Sequence, residues 1–320
     1  MPVAWLAVIG GLALLLVGAE LVTRYGARLA GAMGISPVVI GLTVVSIGTS
    51  APELAVGIDS ALKDAGSLIV GNIAGTNIVN LLLILGLSAA IRTLPFGLQT
   101  LRLDLPMMAG VALLLLVFTV DGAVDRLEGM VLLGIAIGYT FAVFRFARKE
   151  SAAVQAEFGA EFDRPRRGVW PLVLAGLLLV GGIVVIVLGA QFLVDGSVDL
   201  ARRLGVSEAI IGLTIIAIGT SAPELATTII STFRGDRDIA IGNLIGSSTY
   251  NLTLILGVTV LVAPITLDAE LVLVDIPVMI AATFVTGMLM MSGRRVTRVE
   301  GSIMVALYAG YLGYLLLSRV

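Results

Sequence analysis

Apolar stretches of about 20 residues recur from one end of the chain to the other, each parted from the next by Gly, Pro or charged residues. Each is long enough to cross a hydrocarbon layer of about 30 Å as an α-helix. The pattern predicts ten helices, at roughly 3–30, 36–61, 66–90, 100–120, 126–147, 169–200, 207–232, 238–263, 270–291 and 299–318. The first run lacks a basic leader and a small-residue cleavage site, and reads as a retained span. One substantial polar segment, Arg145 to Gly168, lies between the fifth span and the sixth.

Composition turns these helices into membrane spans. The 320 residues are 58% hydrophobic and 13% charged, with a mean hydropathy of +1.08, where soluble domains carry about a quarter charged residues. The chain therefore reads as an all-α integral membrane protein whose solvent is the lipid bilayer, with no soluble domain left over. Cysteine and histidine are both absent, which removes thiolate nucleophiles, disulfides, imidazole bases and the usual zinc and copper ligands, and leaves hard oxygen ligands. No basic, aromatic-rich patch suggests nucleic acid.

Basic residues orient the spans. Placing the central polar segment in the cytoplasm puts Arg24, Arg28, Arg92, Arg102, Arg234, Arg237, Arg294, Arg295 and Arg298 there too, 15 of the 20 Lys and Arg in all. The loops are short enough for this bias to set topology. Both termini are then outside, in a multi-pass protein of the cell (inner) membrane, and Arg202 and Arg203 are a mild exception.

The chain also repeats itself. "GLTVVSIGTSAPELAV" from Gly41 matches "GLTIIAIGTSAPELAT" from Gly212 at 12 of 16 positions, 171 residues apart. At the same offset "GNIAGTNIVNLLLILG" from Gly71 matches "GNLIGSSTYNLTLILG" from Gly242 at 9 of 16, and Asp104 with Pro106 matches Asp275 with Pro277. At 172, Glu128 and Tyr139 align with Glu300 and Tyr311. Each repeat is thus five spans, over 1–147 and 169–320, joined by a cytoplasmic linker at 148–168. Five is odd, so the two are inverted, a transporter architecture whose ion site is expected near midplane.

Candidate chemistry sits in the second and seventh spans. Each carries Gly-Thr-Ser-Ala-Pro-Glu mid-span, at Gly48–Glu53 and Gly219–Glu224. Proline removes a donor and clashes with the carbonyl four residues earlier, so both helices should break and leave main-chain oxygens such as those of Thr49 and Thr220 open to a cation. A carboxylate at bilayer depth is costly unless paired, and neither span contains Lys or Arg. A bound cation is the natural partner for Glu53 and Glu224. A merely structural pair of buried acids does not account for the same string twice at equivalent depth. Spans three and eight add Thr76 and Asn80, and Ser247 and Asn251, each pair four residues apart and so on one helix face. Asn72, Asn77, Asn243 and Ser248 read better as interhelical hydrogen-bonding residues.

Glu20, Asp104, Asp275, Glu128 and Glu300 are weaker candidates. Helix capping explains most of them, since an Asp just before a Pro, or a Glu at a span's start, matches orphan amides and the macrodipole. The Met107–Met108 and Met288–Met291 clusters read as packing.

The doubled "GTSAPE" and "GN..G[ST]...N" elements resemble the alpha repeats of the cation/calcium exchanger superfamily, prokaryotic sodium/calcium exchangers in particular, across essentially the whole chain. The resemblance implies a non-enzymatic antiporter without cofactor. Glu53 and Glu224, with the main-chain oxygens of Thr49 and Thr220, would hold Ca²⁺. Na⁺ would use the same carboxylates with the Ser46 and Ala217 carbonyls, Ser50, Ser221, Thr76, Ser247, Asn80 and Asn251. Some relatives have an acid where Asn80 or Asn251 stands, potassium-dependent members among them, which disfavours potassium coupling here. Ser248 breaks the "GSN" form that Asn77 retains. Alternating access would come from spans one and six sliding on a core of the broken spans.

Two carboxylates give a charge near −2 that one Ca²⁺ neutralises, and calcium accepts irregular oxygen cages that magnesium does not. The runner-up is a proton/calcium exchanger in which Glu53 and Glu224 are protonated on the return step, although protons need no flanking hydroxyls. A cation channel would more typically line a symmetric pore with rings of ligands. An intramembrane hydrolase would have only an acid pair to work with. Oligomeric state is not legible.

Overall fold

The computed structural model describes residues 2–63, 65–147, 169–205 and 217–318. The linker at 148–168 and the first part of the seventh span lie outside the described residues. The helices are α1 Pro2–Met33, α2 Pro37–Thr49, α3 Ala51–Leu62, α4 Gly66–Ile91, α5 Thr100–Phe118, α6 Arg126–Ala147, α7 Val169–Arg203, α8 Ala217–Thr220, α9 Ala222–Arg234, α10 Arg237–Val262, α11 Leu271–Gly293 and α12 Arg298–Ser318. Among the described residues eight helices are long and apolar enough to cross a membrane, and α2 with α3 makes a ninth if taken as one span. Large apolar side chains such as Leu6, Ile9, Ile137 and Leu177 point outward, as a lipid-facing surface allows.

By its contacts the chain divides into two units that cut across the sequence repeats: Met1–Thr49, Glu150–Asn243 and Val305–Val320, and Ser50–Lys149 with Leu244–Met304. In the first unit α1 and α7, of 32 and 35 residues, pack along one another. Glycines set the seam, because an added Cβ at Gly11 would fall 2.7 Å from the Gly189 carbonyl oxygen and one at Gly18 would fall 2.8 Å from that of Gly182. Such close backbone approach is how helices associate where lipid offers no hydrophobic drive. Leu15, Ala19, Val22, Ile40, Val45, Leu179 and Ile186 form the apolar core of this unit. On its other side α1 meets α9. The Thr23 and Ser231 hydroxyls are 2.8 Å apart, and Glu20 pairs with Arg234 one turn along, so Glu20 is an ion-pair residue and not a cap.

The second unit displays the repeat. Gly129 of α6 lies on Gly257 of α10, and its repeat counterpart Gly301 of α12 lies on Gly86 of α4, the counterpart of Gly257. Two short antiparallel ribbons cross-link the loops: β1 (Leu94–Pro95) pairs with β4 (Arg295–Val296), and β2 (Ala123–Val124) with β3 (Ile265–Thr266). Since β1 corresponds to β3 and β2 to β4, the equivalent helices α5 and α11 run in opposite directions between the two ribbons.

Helical regularity fails at matching places. π-helical turns occupy Gly41–Val45, Val79–Ile84 and Thr100–Asp104 in the first repeat, and Asn251–Ile255 and Leu271–Asp275 in the second. The last two stand at the 171-residue offset from their partners, and residues 212–216, which correspond to the first, lie outside the described set. Such turns place one extra residue in the helix and are common at functional sites. Asp104 and Asp275 close two of them and make no capping hydrogen bond to the helices that follow, which corrects the capping assignment for both. Glu128 and Glu300 do cap: Asp125 with Glu128, and Thr297 with Glu300, form reciprocal capping boxes.

Candidate ion-binding site

The helix breaks fall at the doubled motif. Ser50 (φ −82°, ψ 9°) and Ser221 (φ −85°, ψ 5°) take nearly the same non-helical conformation, in the bridge region where many site residues lie. Each then opens a new helix with Pro in its first turn, and the amides of Leu54 and Leu225 return to the Ser50 and Ser221 carbonyls at 3.2 and 2.9 Å. Both serine hydroxyls are buried and have no hydrogen-bond partner. At the first motif α2 and α3 are bent by 42° to one another.

In the first unit, α7 runs past both motifs. Ile183 seats against Gly48 and Val194 against Gly219, where an added Cβ would collide with them. The turn Ser46–Thr49 packs against α9, which carries Glu224 fully buried. Thr49 is buried too, and its hydroxyl donates to Asn243 Oδ1 at 3.2 Å, while the Asn243 amide reaches the Thr228 hydroxyl at 3.4 Å. Asn243 thus ties α2 to α9 and positions Thr49, as an interhelical residue should. Ser46 commits its hydroxyl to the carbonyls of Gly41 and Asn243, at 2.7 and 2.9 Å, and its own carbonyl accepts from the Thr49 hydroxyl at 3.3 Å. Thr220 is half-buried, and Ala217 begins α8.

In the second unit, Glu53 is buried on α3, and α3 packs on α4 and on the π turn that begins at Asn251. Thr76, Asn80, Ser247 and Asn251 are all buried. Neither amide atom of Asn80 or Asn251, nor the Thr76 hydroxyl, has a hydrogen-bond partner among the described residues. A buried amide without a partner is expensive, and four such atoms at repeat-equivalent positions ask for a ligand. Asn77 is matched on one side, its amide donating to the Ser248 carbonyl at 3.2 Å, while its Oδ1 is buried without a partner among the described residues.

Two features were missed at the sequence level. Thr227, one turn after Glu224, is fully buried with an unmatched hydroxyl, and it heads a polar stripe of Thr227, Thr228, Ser231 and Thr232 down α9. The spacing three, four, seven and eight residues beyond Glu224 was visible in the sequence. The π turns at Asn80 and Asn251 have no compositional mark.

The profile of the sodium/calcium exchanger protein family matches residues 3–145 and 174–317. The chain belongs to that family. CaxA of Alkalimonas amylolytica is 37% identical over 99% of this chain and 100% of its own length. The sodium/calcium exchanger MaX1 of Methanosarcina acetivorans is 31% identical over 94% and 95%. Among solved structures, that of the sodium-calcium exchanger NCX_Mj superposes with a TM-score of 0.83 at 26% identity, covering 98% of this chain and 99% of that one. This family member is accordingly an all-helical, multi-pass membrane protein with two copies of the family repeat and the NCX_Mj fold.

Proposed function

We propose that the chain is a secondary active antiporter that exchanges Ca²⁺ for Na⁺ by alternating access, and not an enzyme. The observation that carries this reading is the doubled set of buried oxygen donors with unmatched hydrogen-bonding capacity, Ser50, Thr76 and Asn80 in one repeat and Ser221 and Asn251 in the other, accompanying one buried glutamate per repeat. Glu53 and Glu224 serve one ion in common, with the Thr49 and Thr220 carbonyls, when the ion is Ca²⁺. Na⁺ ions compete for the same carboxylates and spread onto Ser50, Ser221, Thr76, Ser247, Asn80, Asn251 and the Ser46 and Ala217 carbonyls. Competition for two carboxylates enforces exchange. Protons would leave these amides and hydroxyls without a purpose, which favours sodium over the proton/calcium alternative. Family membership and the names of MaX1 and NCX_Mj support the same ions.

The accompanying topology is ten spans in two inverted repeats, 1–147 and 169–320, with the second and seventh broken, both termini outside and the linker 148–168 cytoplasmic. Because the chain has no Cys, single cysteines report cleanly: those at Ser151 and Gln155 should label only from the cytoplasmic side and one at Asp268 only from outside. Function is tested in liposomes, by uptake of radiolabelled Ca²⁺ driven in turn by outward Na⁺, K⁺ and H⁺ gradients. Uptake should require the Na⁺ gradient. Uptake driven by protons alone would select the alternative, and uptake without any counter-ion would select a channel.

A further inference from the structure

One buried carboxylate of the second unit lies outside the proposed set of ion ligands. Asp104 closes the π turn Thr100–Asp104 and is fully buried. Its Oδ1 accepts a hydrogen bond from the Tyr139 hydroxyl at 3.0 Å, while Oδ2 is buried with no partner. Gln99 and Thr100, at the start of the same turn, lie close enough to interact with the carboxyl. Yet Gln99, only 4% exposed, completes no hydrogen bond through either amide atom.

Nothing around Asp104 supplies a positive charge. α6 presents Tyr139 and α10 presents Tyr250, α11 has no titratable side chain between Ile276 and Gly293, and Arg102 on the same turn is exposed. The ion pairs Lys63–Asp59, Arg203–Asp199 and Arg234–Glu20 do not involve Asp104. An ionised carboxylate with no cationic partner at this depth is costly and must be neutralised. A calcium-like cation would want roughly six to eight oxygens, and Oδ2, the Gln99 amide oxygen and the Thr100 hydroxyl fall well short. A proton needs one acceptor.

We propose that Asp104 is a proton-binding site separate from the ion ligands, its proton carried on Oδ2 while Tyr139 holds Oδ1. Binding takes one proton from water and turns the carboxylate into a neutral acid. The site is wired toward Asn251. The Tyr139 ring lies on that of Tyr250, centroids 5.7 Å apart and tilted by 57°. The Tyr250 hydroxyl bonds Thr140 at 2.7 Å, and Tyr250 immediately precedes Asn251. The first repeat has Val79 in that place, so the wiring exists on one side only. Losing the proton puts a charge behind Tyr250, displaces it, and slows exchange at high pH. This last step rests on the exchange reading.

The test has two arms. Infrared difference spectra of the purified protein in Na⁺- and Ca²⁺-free buffer should show a protonated-carboxyl band at neutral pH that is missing in Asp104→Asn. In Tyr139→Phe, where the donor favouring the ionised form is gone, the band should titrate at higher pH. Absence of an Asp104-dependent band at neutral pH would overturn the proposal, as would a band that Na⁺ abolishes at constant pH. Should Asp104→Asn fail to fold, Tyr139→Phe alone decides, by whether its midpoint moves. In liposomes, wild-type exchange should decline at high pH, the decline should move to higher pH in Tyr139→Phe, and Asp104→Asn should lose it. Unaltered profiles in both variants would sink the link to Asn251. If the protein exchanges nothing at all, the exchange reading fails, and the spectra still decide whether Asp104 holds a proton.

Discussion

α3 and α9 start alike and then diverge. Both open at a serine in the same bridge conformation, with Ala, Pro and a buried Glu in the first turn. Three, four, seven and eight residues beyond the Glu, α3 has Val56, Gly57, Ser60 and Ala61, while α9 has Thr227, Thr228, Ser231 and Thr232. α3 uses Gly57 to press against Thr259, where an added Cβ would sit 2.7 Å from the hydroxyl oxygen. α9 uses hydroxyls instead, toward Thr23 and Asn243. The symmetry therefore belongs to the turn that carries the proposed ligands. What lies beyond it answers to the neighbours each helix has, and these differ.

If the ligand turns are equivalent, Glu53→Gln and Glu224→Gln should each reduce Ca²⁺ uptake to background while the protein still purifies folded, since an amide keeps the shape and halves the site charge. Wild-type-like uptake in either would make that motif scaffold.

A smaller effect is expected from Asn251→Asp and Asn80→Asp, measured as exchange across a pH range. Each adds a third acid, which raises the others' tendency to hold protons. Activity should fall at high pH, where the new carboxylate ionises and grips cations, and partly recover as pH drops and it protonates. An unchanged profile in Asn251→Asp would mean that this amide only packs.

The scaffold can be tested through its glycines. In the first unit an added Cβ at Gly242 would lie 2.5 Å from the Val38 carbonyl oxygen, whereas at its repeat counterpart, Gly71 of the second unit, the nearest atom is the Leu271 Cδ1 at 3.4 Å. Gly242→Ala should lower stability by about 1–3 kcal/mol and Gly71→Ala by no more than about 0.5 kcal/mol, read from thermal unfolding in detergent. Equal effects would mean that the two repeats pack alike after all.

Thr227→Val, which gives α9 the β-branched residue that α3 carries, removes a buried hydroxyl without a partner and should raise stability by about 1 kcal/mol. Thr23→Val should cost less, about 0.6 kcal/mol, through its bond to Ser231. A larger loss there would mean that the α1–α9 contact contributes more than one hydrogen bond.

What could be read in advance follows the range of the forces involved. Apolar helices, the repeat and the buried Glu, Ser, Thr and Asn are local or periodic signals, and the described residues carry them. Asp104 was misread because Asp two residues before Pro looks the same whether it caps a helix or is buried against a tyrosine 35 positions later. The Glu20 partner is 214 residues away, a separation no pattern reaches. Glu128 and Glu300 were legible because a capping box is complete within four residues.

The π turns have a consequence for how such a chain can change. Each winds in one residue more than an α-helix of the same height, and every residue after it is rotated by about 100° from where unbroken α-winding would place it. Deleting one residue anywhere in Val79–Ile84 would let the helix close up as a regular α-helix and turn one flank against the other by that angle. Either Gly86 would leave its seat under Gly301 or Thr76 would leave its buried position. These turns are phase-keepers: within them side chains can be exchanged, but the number of residues cannot drift.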